Sequence, residues 1–250
     1  MTRTKALHYS PYHLRFPMIQ SHVDLDQCCG YVATQLKVPV NRVQQTKYPA
    51  TVTISRQTGT RGRNIGNMLR DAMNADIEQG ARTWAVYDED LAKKILKEHD
   101  LPTEMEKFMP DDSVSEISSS INEILGRHPS QWTLFEHTVD TVVNLSRKGH
   151  AIIVGRAANK ITKGMRNVLN VRFIGDLDAR ALRISSRRDI THKDAIAYIK
   201  REDTARKNYM RQHFGADIED SHGYDLVINT DNLSDESIVQ ILISAVKEKG

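Results

Sequence analysis

Short runs of β-branched and aromatic residues alternate along this chain with longer stretches in which apolar residues recur at helical spacing. The helical spacing predicts helices between the first two runs, ahead of the third run, and behind Ser234, a residue that suits a helix N-cap. Strands that alternate with helices are typical of a three-layer α/β fold around a mostly parallel sheet. The five runs that predict strands are residues 51–54, 84–87, 151–154, 168–174 and 226–228.

Two regions fall outside this alternation and divide the chain into parts. Residues 101–130 are polar, rich in serine and acidic residues, and contain three prolines, which indicates a small helical insert or a mobile flap. Residues 1–47 form a separate N-terminal extension ahead of the first strand. We therefore expect a main α/β domain over residues 48–250 that carries the insert.

Composition and charge exclude several classes of protein. The 35 basic and 32 acidic residues leave a net charge of +3, a surplus too small to indicate a nucleic-acid partner. The longest apolar runs are only four or five residues, whereas a membrane-spanning helix needs about 20, so we expect no membrane partner. The N-terminus lacks the apolar stretch of a secretory signal, and the two cysteines, Cys28 and Cys29, are adjacent in the chain. These features favour a cytoplasmic protein.

A glycine-bearing turn joins the first predicted strand to the first predicted helix. Glycines in such a turn let backbone N–H groups converge on an anion, and the N-terminus of the following helix adds partial positive charge. Arg63 and Asn64 stand where a regular phosphate-binding loop carries lysine and a hydroxyl residue, and a guanidinium group can bind phosphate oxygens bidentately. The turn is therefore either a phosphate-binding loop or an ordinary βα turn whose glycines serve only tight packing. The candidate phosphate-binding residues are Thr58, Gly59, Thr60, Arg61, Gly62, Arg63 and Asn64.

Four segments at or near the ends of predicted strands share motifs with one family of proteins. They are the glycine loop at 54–65, the tyrosine-aspartate turn at 86–91, the Val-Gly-Arg segment at 152–158, and the pair formed by 203–209 and 224–230. In this order they resemble the cytidylate kinase-like family, a branch of the P-loop nucleoside monophosphate kinases. The resemblance implies a P-loop kinase-like three-layer α/β/α fold with a five-stranded sheet, a helical insert, and an arginine-rich helical lid at about 178–215.

The resemblance also implies a reaction, the transfer of a phosphoryl group from ATP, with Mg²⁺, to a small-molecule acceptor such as a CMP-like nucleoside monophosphate. In such a reaction the protein mainly positions the reactants and neutralises charge on the moving phosphoryl group. Ala157 replaces the aspartate that helps cytidylate kinases to select the base, so the resemblance does not extend to base specificity. The altered glycine loop leaves a second interpretation open, a nucleotide-binding regulatory module that has lost catalysis. A homo-oligomer is compatible with both interpretations.

The same resemblance assigns roles to individual residues, and several of them have a plainer alternative. Asp203 and Arg206 lie three apart on one helical face, where they suit either a lid pair that contacts phosphates or an i,i+3 salt bridge. Asp88 suits the acceptor site, a Mg²⁺ ligand, or the N-cap of a following helix. Asn229 and Thr230 correspond to the adenine-side loop and equally suit a simple turn. The resemblance places Arg63, Arg156, Asp203 and Arg206 in catalysis, Asp88, Lys94 and Arg156 at the acceptor, and Arg180, Arg183, Arg187, Arg188 and Arg201 in the lid.

Overall fold

The computed structural model describes residues 31–32, 35, 48–75, 81–88 and 131–249, and a five-stranded sheet lies at its centre. The strands are β1 (Thr51–Arg56), β2 (Ala85–Tyr87), β3 (Ala151–Val154), β4 (Val168–Ile174) and β5 (Leu226–Asn229). Their order in the sheet is β2-β3-β1-β4-β5, and all neighbouring strands are parallel. The five predicted strands are confirmed: the buried, apolar runs β1, β3 and β4 form the interior of the sheet, and the more exposed β2 and β5 form its edges.

Six α-helices surround the sheet between residues 62 and 247 in the described part of the chain. They are α1 (Gly62–Asn74), α2 (Gln131–Lys148), α3 (Ala158–Ile161), α4 (Leu177–Arg188), α5 (His192–Phe214) and α6 (Asp235–Lys247). The hydroxyl of Ser234 accepts a hydrogen bond from the N–H of Ser237 at the start of α6, which confirms the predicted N-cap. Gly149 follows α2 with a φ of 71°, and a Cβ atom there would lie 2.4 Å from Cβ of Pro49, so glycine is required.

Two apolar cores, one on each face of the sheet, give the molecule three layers. On one face Ile54 of β1 belongs to the same buried cluster as Leu69 of α1 and Leu242 of α6. On the other face Ile153 of β3 belongs to a buried cluster with Phe135 of α2. Because successive side chains of a strand point to opposite faces, β3 supplies both cores, with Ile152 in the first and Ile153 in the second. The three-layer α/β/α fold and its mostly parallel sheet are therefore confirmed.

A helical piece of the N-terminal extension packs on the α2 side of the molecule. Val32 is buried in the same apolar cluster as Phe135 and Val139. Beside it the Tyr31 hydroxyl donates a 2.7 Å hydrogen bond to the carboxylate of Asp140. Burial, together with this bond, raises the pKa of Tyr31. The extension thus contributes to the core, whereas the predicted insert at 101–130 lies outside the described residues. None of the described helices is long and apolar enough to cross a membrane.

Candidate functional site

The glycine loop follows β1 at the centre of the sheet, between β3 and β4. The carbonyl of Gln57 closes its turn by accepting a 2.8 Å hydrogen bond from the Thr60 hydroxyl, and Gly59 adopts a φ of 86°. The side-chain oxygen of Gln57 accepts a second bond from the N–H of Gly175 after β4, which fixes the loop to the sheet. The loop leads into the N-terminus of α1, whose first turn has neither a side-chain cap nor an acidic residue. A helix N-terminus of this kind suits an anion.

Three charged side chains of α4 and α5 meet the loop at Thr58. The carboxylate of Asp203 accepts hydrogen bonds from the N–H and the hydroxyl of Thr58, both at 2.8 Å. Arg206 Nη1 donates to the Thr58 hydroxyl at 2.7 Å and lies 3.2 Å from Asp203 Oδ1. Arg180 Nη1 donates to the second Asp203 oxygen at 2.8 Å and to the Thr58 carbonyl at 3.1 Å. Asp203 and Arg206 therefore form an ion pair with each other, and both also contact the glycine loop.

Arg63 and Asp88 form a second cluster beside the loop. Nε of Arg63 lies 3.4 Å from Oδ2 of Asp88, and Nη2 of Arg56 lies 3.7 Å from Oδ1 of the same carboxylate. The side chain of Arg63 is 41% exposed, so it borders solvent while Asp88 and Arg56 are largely covered. The carboxylate that follows β2 thus holds two guanidinium groups at the loop.

Arg61 and Asn64, two further loop residues, bind the start of α6. Nε of Arg61 donates a 2.6 Å hydrogen bond to Oδ1 of Asp235, and Nδ2 of Asn64 donates one of 2.7 Å to Oδ2. Nη2 of Arg61 donates to the Thr230 carbonyl at 2.7 Å. The structure therefore directs these two side chains to the turn after β5.

The predicted adenine-side residues, Asn229 and Thr230, shape that turn. The side-chain oxygen of Asn229 accepts a 3.0 Å hydrogen bond from the N–H of Asp231, and the N–H of Thr230 donates one of 3.0 Å to the Ile174 carbonyl. Asp231 forms an ion pair with Arg183 of α4. Burial lowers the pKa of Arg183, and the neighbouring Asp231 offsets part of this change. The turn lies at the same edge of the sheet as the glycine loop, where open α/β sheets bind ligands.

Arg156 lies at the end of β3 in a strained turn. Gly155, Arg156 and Ala157 all have positive φ angles, of 85°, 57° and 52°. Two consecutive non-glycine residues in the left-handed region are uncommon, and such strain concentrates at functional sites. Arg156 is only 9% exposed. A crevice extends from this turn to α5, lined by residues that include Ser55, Arg56, Gly155, Ala157, Arg206 and Tyr209.

The other predicted lid arginines lie on the outer surface of α4 and α5. The guanidinium carbons of Arg188 and Arg201 lie 4.1 Å and 5.2 Å from the centre of the Tyr198 ring. Arg201 also binds the carboxylate of Glu202 at 2.9 Å. Arg187 is exposed. The structure thus divides the lid arginines into those at the glycine loop or the turn after β5 and those that stabilise the lid surface.

A buried polar cluster beneath the loop was not among the predicted site residues. Arg172 of β4 is 4% exposed and donates a 3.0 Å hydrogen bond to the hydroxyl of Ser55, which the Tyr224 hydroxyl also contacts at 3.3 Å. The alternation along β4 could have indicated this residue in the sequence. Arg172 stands between buried Val171 and Phe173, so its side chain must face the opposite side of the sheet. A cavity between the loop and α5 is lined by residues that include Arg56, Gln57, Arg172, Asp203, Arg206 and Lys207.

Asp88 is the predicted metal ligand. Its surroundings suit a metal ion that is held jointly by the protein, water and bound phosphates, not one that is held by protein side chains alone. In the described ranges, no three or more His, Cys, Asp or Glu side chains are grouped so as to hold a metal ion. Mg²⁺ at nucleotide sites usually keeps several waters and takes one or two carboxylates together with the phosphates. Asp88 could supply one such carboxylate, and to do so it would have to release Arg63 or Arg56. Lys94, the predicted acceptor contact, lies outside the described residues.

Comparison with known proteins identifies the family of this chain. A model of the cytidylate kinase-like family matches residues 51–232, so the chain belongs to this family. The chain is 27% identical over 160 residues to a cytidylate kinase of Methanocaldococcus jannaschii, covering 62% of this chain and 89% of the relative. It is 39% identical over 82 residues to a cytidylate kinase of Sulfolobus acidocaldarius, covering 32% of this chain and 44% of the relative.

The fold has a solved counterpart as well. A crystal structure of an uncharacterized protein from Eubacterium ventriosum matches with a TM-score of 0.58 at 18% identity, covering 79% of this chain and 98% of that chain. This likeness shows the shared fold. Family membership supports a kinase that acts on a nucleotide or another small molecule.

Proposed function

We propose that the protein transfers the γ-phosphoryl group of ATP to a small acceptor, with a nucleoside monophosphate as the favoured class. The observation that carries this proposal is the contact of Asp203, Arg180 and Arg206 with Thr58, which joins the lid to the glycine loop. This contact brings two guanidinium groups to the loop that we assign to the donor phosphates. The lid and the loop together can then surround a phosphoryl group.

The charge around the loop suits this chemistry. Negative charge is spread over the oxygens of the phosphoryl group in the transition state, so catalysis consists mainly of positioning and electrostatic stabilisation. Guanidinium groups in a water-poor site stabilise that charge more strongly than they would in bulk water. The cavity between the loop and α5 offers four cationic side chains against two carboxylates, those of Arg56, Arg172, Arg206 and Lys207 against Asp203 and Glu219.

We assign the donor phosphates to the backbone of the glycine loop and to the N-terminus of α1. The first turn of α1 lacks a side-chain cap and acidic residues, and both features favour an anionic ligand there. Arg63 stands in the lysine position and is exposed enough to reach a ligand. Mg²⁺ supplies further charge neutralisation on the phosphates, and Asp88, which contacts Arg63, is the carboxylate we assign to it.

We assign the acceptor phosphate to Arg156 and to the crevice beside it. Arg206 lines both this crevice and the cavity next to Asp203, so it can contact a phosphoryl group that moves between donor and acceptor. CMP is the first acceptor to test, because the chain belongs to the cytidylate kinase-like family and the two relatives above are named cytidylate kinases. Ala157 makes the other bases equally necessary controls.

A second candidate is a nucleotide-binding regulatory module without catalysis. It is favoured by the contacts of Arg63 and Asn64, the residues in place of the usual lysine and hydroxyl. Each of them is bound to a carboxylate of the protein, Asp88 and Asp235 respectively. Such a module would bind nucleotide without turnover.

The test is Mg²⁺-dependent formation of ADP from ATP, with CMP, dCMP, UMP, AMP and GMP supplied separately beside a reaction without acceptor. The proposal expects ADP formation that depends on at least one acceptor and is lost without Mg²⁺. Binding of ADP by the protein without any acceptor-dependent turnover favours the regulatory module. Absence of both binding and turnover contradicts both candidates.

A further inference from the structure

We infer that Arg61 and Asp235 are positioning residues that hold the glycine loop in its ligand-binding shape. The inference rests on the proposed function, because the ligand concerned is the donor nucleotide assigned to this loop. The two residues belong to a clamp between the loop and the turn after β5. The clamp consists of Arg61, Asn64, Asp235 and the carbonyl groups of Thr230 and Leu233.

The backbone of Arg61 adopts a conformation that favours glycine. Its φ of 62° and ψ of 16° are left-handed, and the residue directly precedes the first residue of α1. A side chain on an L-residue crowds the following carbonyl in this region, whereas glycine is free to adopt it. The backbone therefore does not favour arginine here, so interactions of the arginine side chain must offset the strain.

Those interactions reach across to a separate element of the fold. The Arg61 guanidinium donates three hydrogen bonds, to the Asp235 carboxylate at 2.6 Å, the Thr230 carbonyl at 2.7 Å and the Leu233 carbonyl at 3.2 Å. The second oxygen of Asp235 accepts the Asn64 bond at 2.7 Å. Asp235 begins α6, so its carboxylate lies at the N-terminus of one helix and binds residues at the N-terminus of another. Both helix dipoles favour a negative charge in this place.

The clamp fixes the loop at the end opposite to the lid contact. Thr58 is held by Asp203 of the lid, and Arg61, three residues later, is held by Asp235. The turn after β5 is itself bound to α4, because Asp231 pairs with Arg183. The N–H of Thr58 is bonded to Asp203, and a loop that is held at both ends loses less conformational entropy when its other N–H groups bind a phosphate. Loss of the clamp should therefore weaken nucleotide binding more than it slows the transfer step.

The test measures ADP affinity by isothermal titration calorimetry, together with kcat and KM for ATP. The variants are Arg61→Gly, Asp235→Asn and the double variant, with Arg70→Ala as a matched control. Arg61→Gly removes three of the four hydrogen bonds of the clamp and relieves the strained φ, and Asp235→Asn is an independent variant that removes the charge of the carboxylate. Arg70 lies on α1, away from the loop, and forms an ion pair with its neighbour Asp71. Thermal melting of each variant checks that it is folded.

We expect each single variant to raise the Kd for ADP and the KM for ATP about tenfold, with kcat changed less than threefold. The double variant should lose less affinity than the product of the two single effects, because both single variants weaken the same contact between Arg61 and Asp235. ADP affinity in Arg61→Gly and Asp235→Asn that equals the wild-type value overturns the inference, as does a loss confined to kcat. Failure of the wild-type protein to bind ADP contradicts the proposed function instead, and the inference then falls with it.

Discussion

The carboxylate of Asp203 accepts two hydrogen bonds from Thr58, one from its N–H group and one from its hydroxyl, each 2.8 Å long. These residues are 145 positions apart in the chain, and their contact joins α5, part of the predicted lid, to the loop after β1. Arg180 and Arg206 bind the same carboxylate from either side. A single acidic residue thus arranges two cations at the loop that we assign to the donor phosphates.

Replacement of Asp203 by asparagine should disturb this arrangement while it keeps the shape of the side chain. The charge that orients Arg180 and Arg206 is lost, and we expect kcat to fall about 10²-fold, the usual scale for one preorganised electrostatic contact. Steady-state kinetics with ATP and the preferred acceptor measure the effect. Asp189→Asn is the control, because Asp189 is exposed at the end of α4 and asparagine tolerates its φ of 54°. An unchanged kcat in Asp203→Asn contradicts the assigned role.

Arg63 should contribute to transfer through its charge and its forked geometry. We expect Arg63→Ala to lower kcat about 10²-fold, and Arg63→Lys to recover part of the loss, because lysine supplies a point charge without bidentate contacts. The same kinetic measurement in Arg166→Ala controls for loss of a positive charge, since Arg166 is exposed before β4 at the opposite edge of the sheet. Equal activity in all three variants argues against a phosphate contact.

Gly59 should be intolerant of a side chain for two separate reasons. Its φ is 86°, and a Cβ atom would lie 3.0 Å from the Arg180 carbonyl and 3.1 Å from Arg180 Cβ. Gly164 provides the matched control, because its φ is 91° and a Cβ atom there meets nothing within 4 Å. We expect Gly164→Ala to cost about 1 kcal/mol and Gly59→Ala about 2–3 kcal/mol of unfolding free energy in urea denaturation. If the two variants lose the same unfolding free energy, the packing of the loop against α4 does not exclude a side chain at Gly59.

His213 should make stability depend on pH. It is buried between Phe135 and Tyr209, and burial lowers its pKa from 6.5 to about 4. Because the unfolded chain then binds the proton more readily, stability is fully present above pH 6.5 and is lost as the pH falls toward 4. At the acid end of this pH range the free energy of unfolding is lower by about 3 kcal/mol.

Urea denaturation at a series of pH values measures this dependence. We expect His213→Phe to flatten the slope of stability against pH between pH 6.5 and 5. If His213→Phe keeps the wild-type slope of unfolding free energy against pH, other titratable groups cause the dependence.

The strands and the capped helix starts could be predicted from the sequence because each depends on local chemistry. The run at 151–154 is apolar and β-branched, so it is stable only when both faces are buried, and the structure buries all four residues. Ser234 caps α6 through a bond to a residue three positions later, an interaction that the spacing alone contains.

The arrangement of the candidate site depended on long-range partners and could be predicted only in part. The i,i+3 spacing of Asp203 and Arg206 indicated a shared face, but nothing local indicated that both meet Thr58. Arg61 belonged to the loop by position, whereas its side chain binds Asp235, 174 residues away. A charged side chain in a loop can reach several elements, and only the assembled fold determines which of them lies within hydrogen-bond distance.

The most direct measurement follows the γ-phosphoryl group itself. ATP labelled in the γ-phosphate is incubated with Mg²⁺, the wild-type protein and each nucleoside monophosphate, and the labelled products are separated and identified. The account predicts label in a nucleoside diphosphate made from one acceptor, and a fall of about 10²-fold in that product with Arg206→Ala. Label that stays in ATP or appears only as inorganic phosphate with every acceptor would contradict the account.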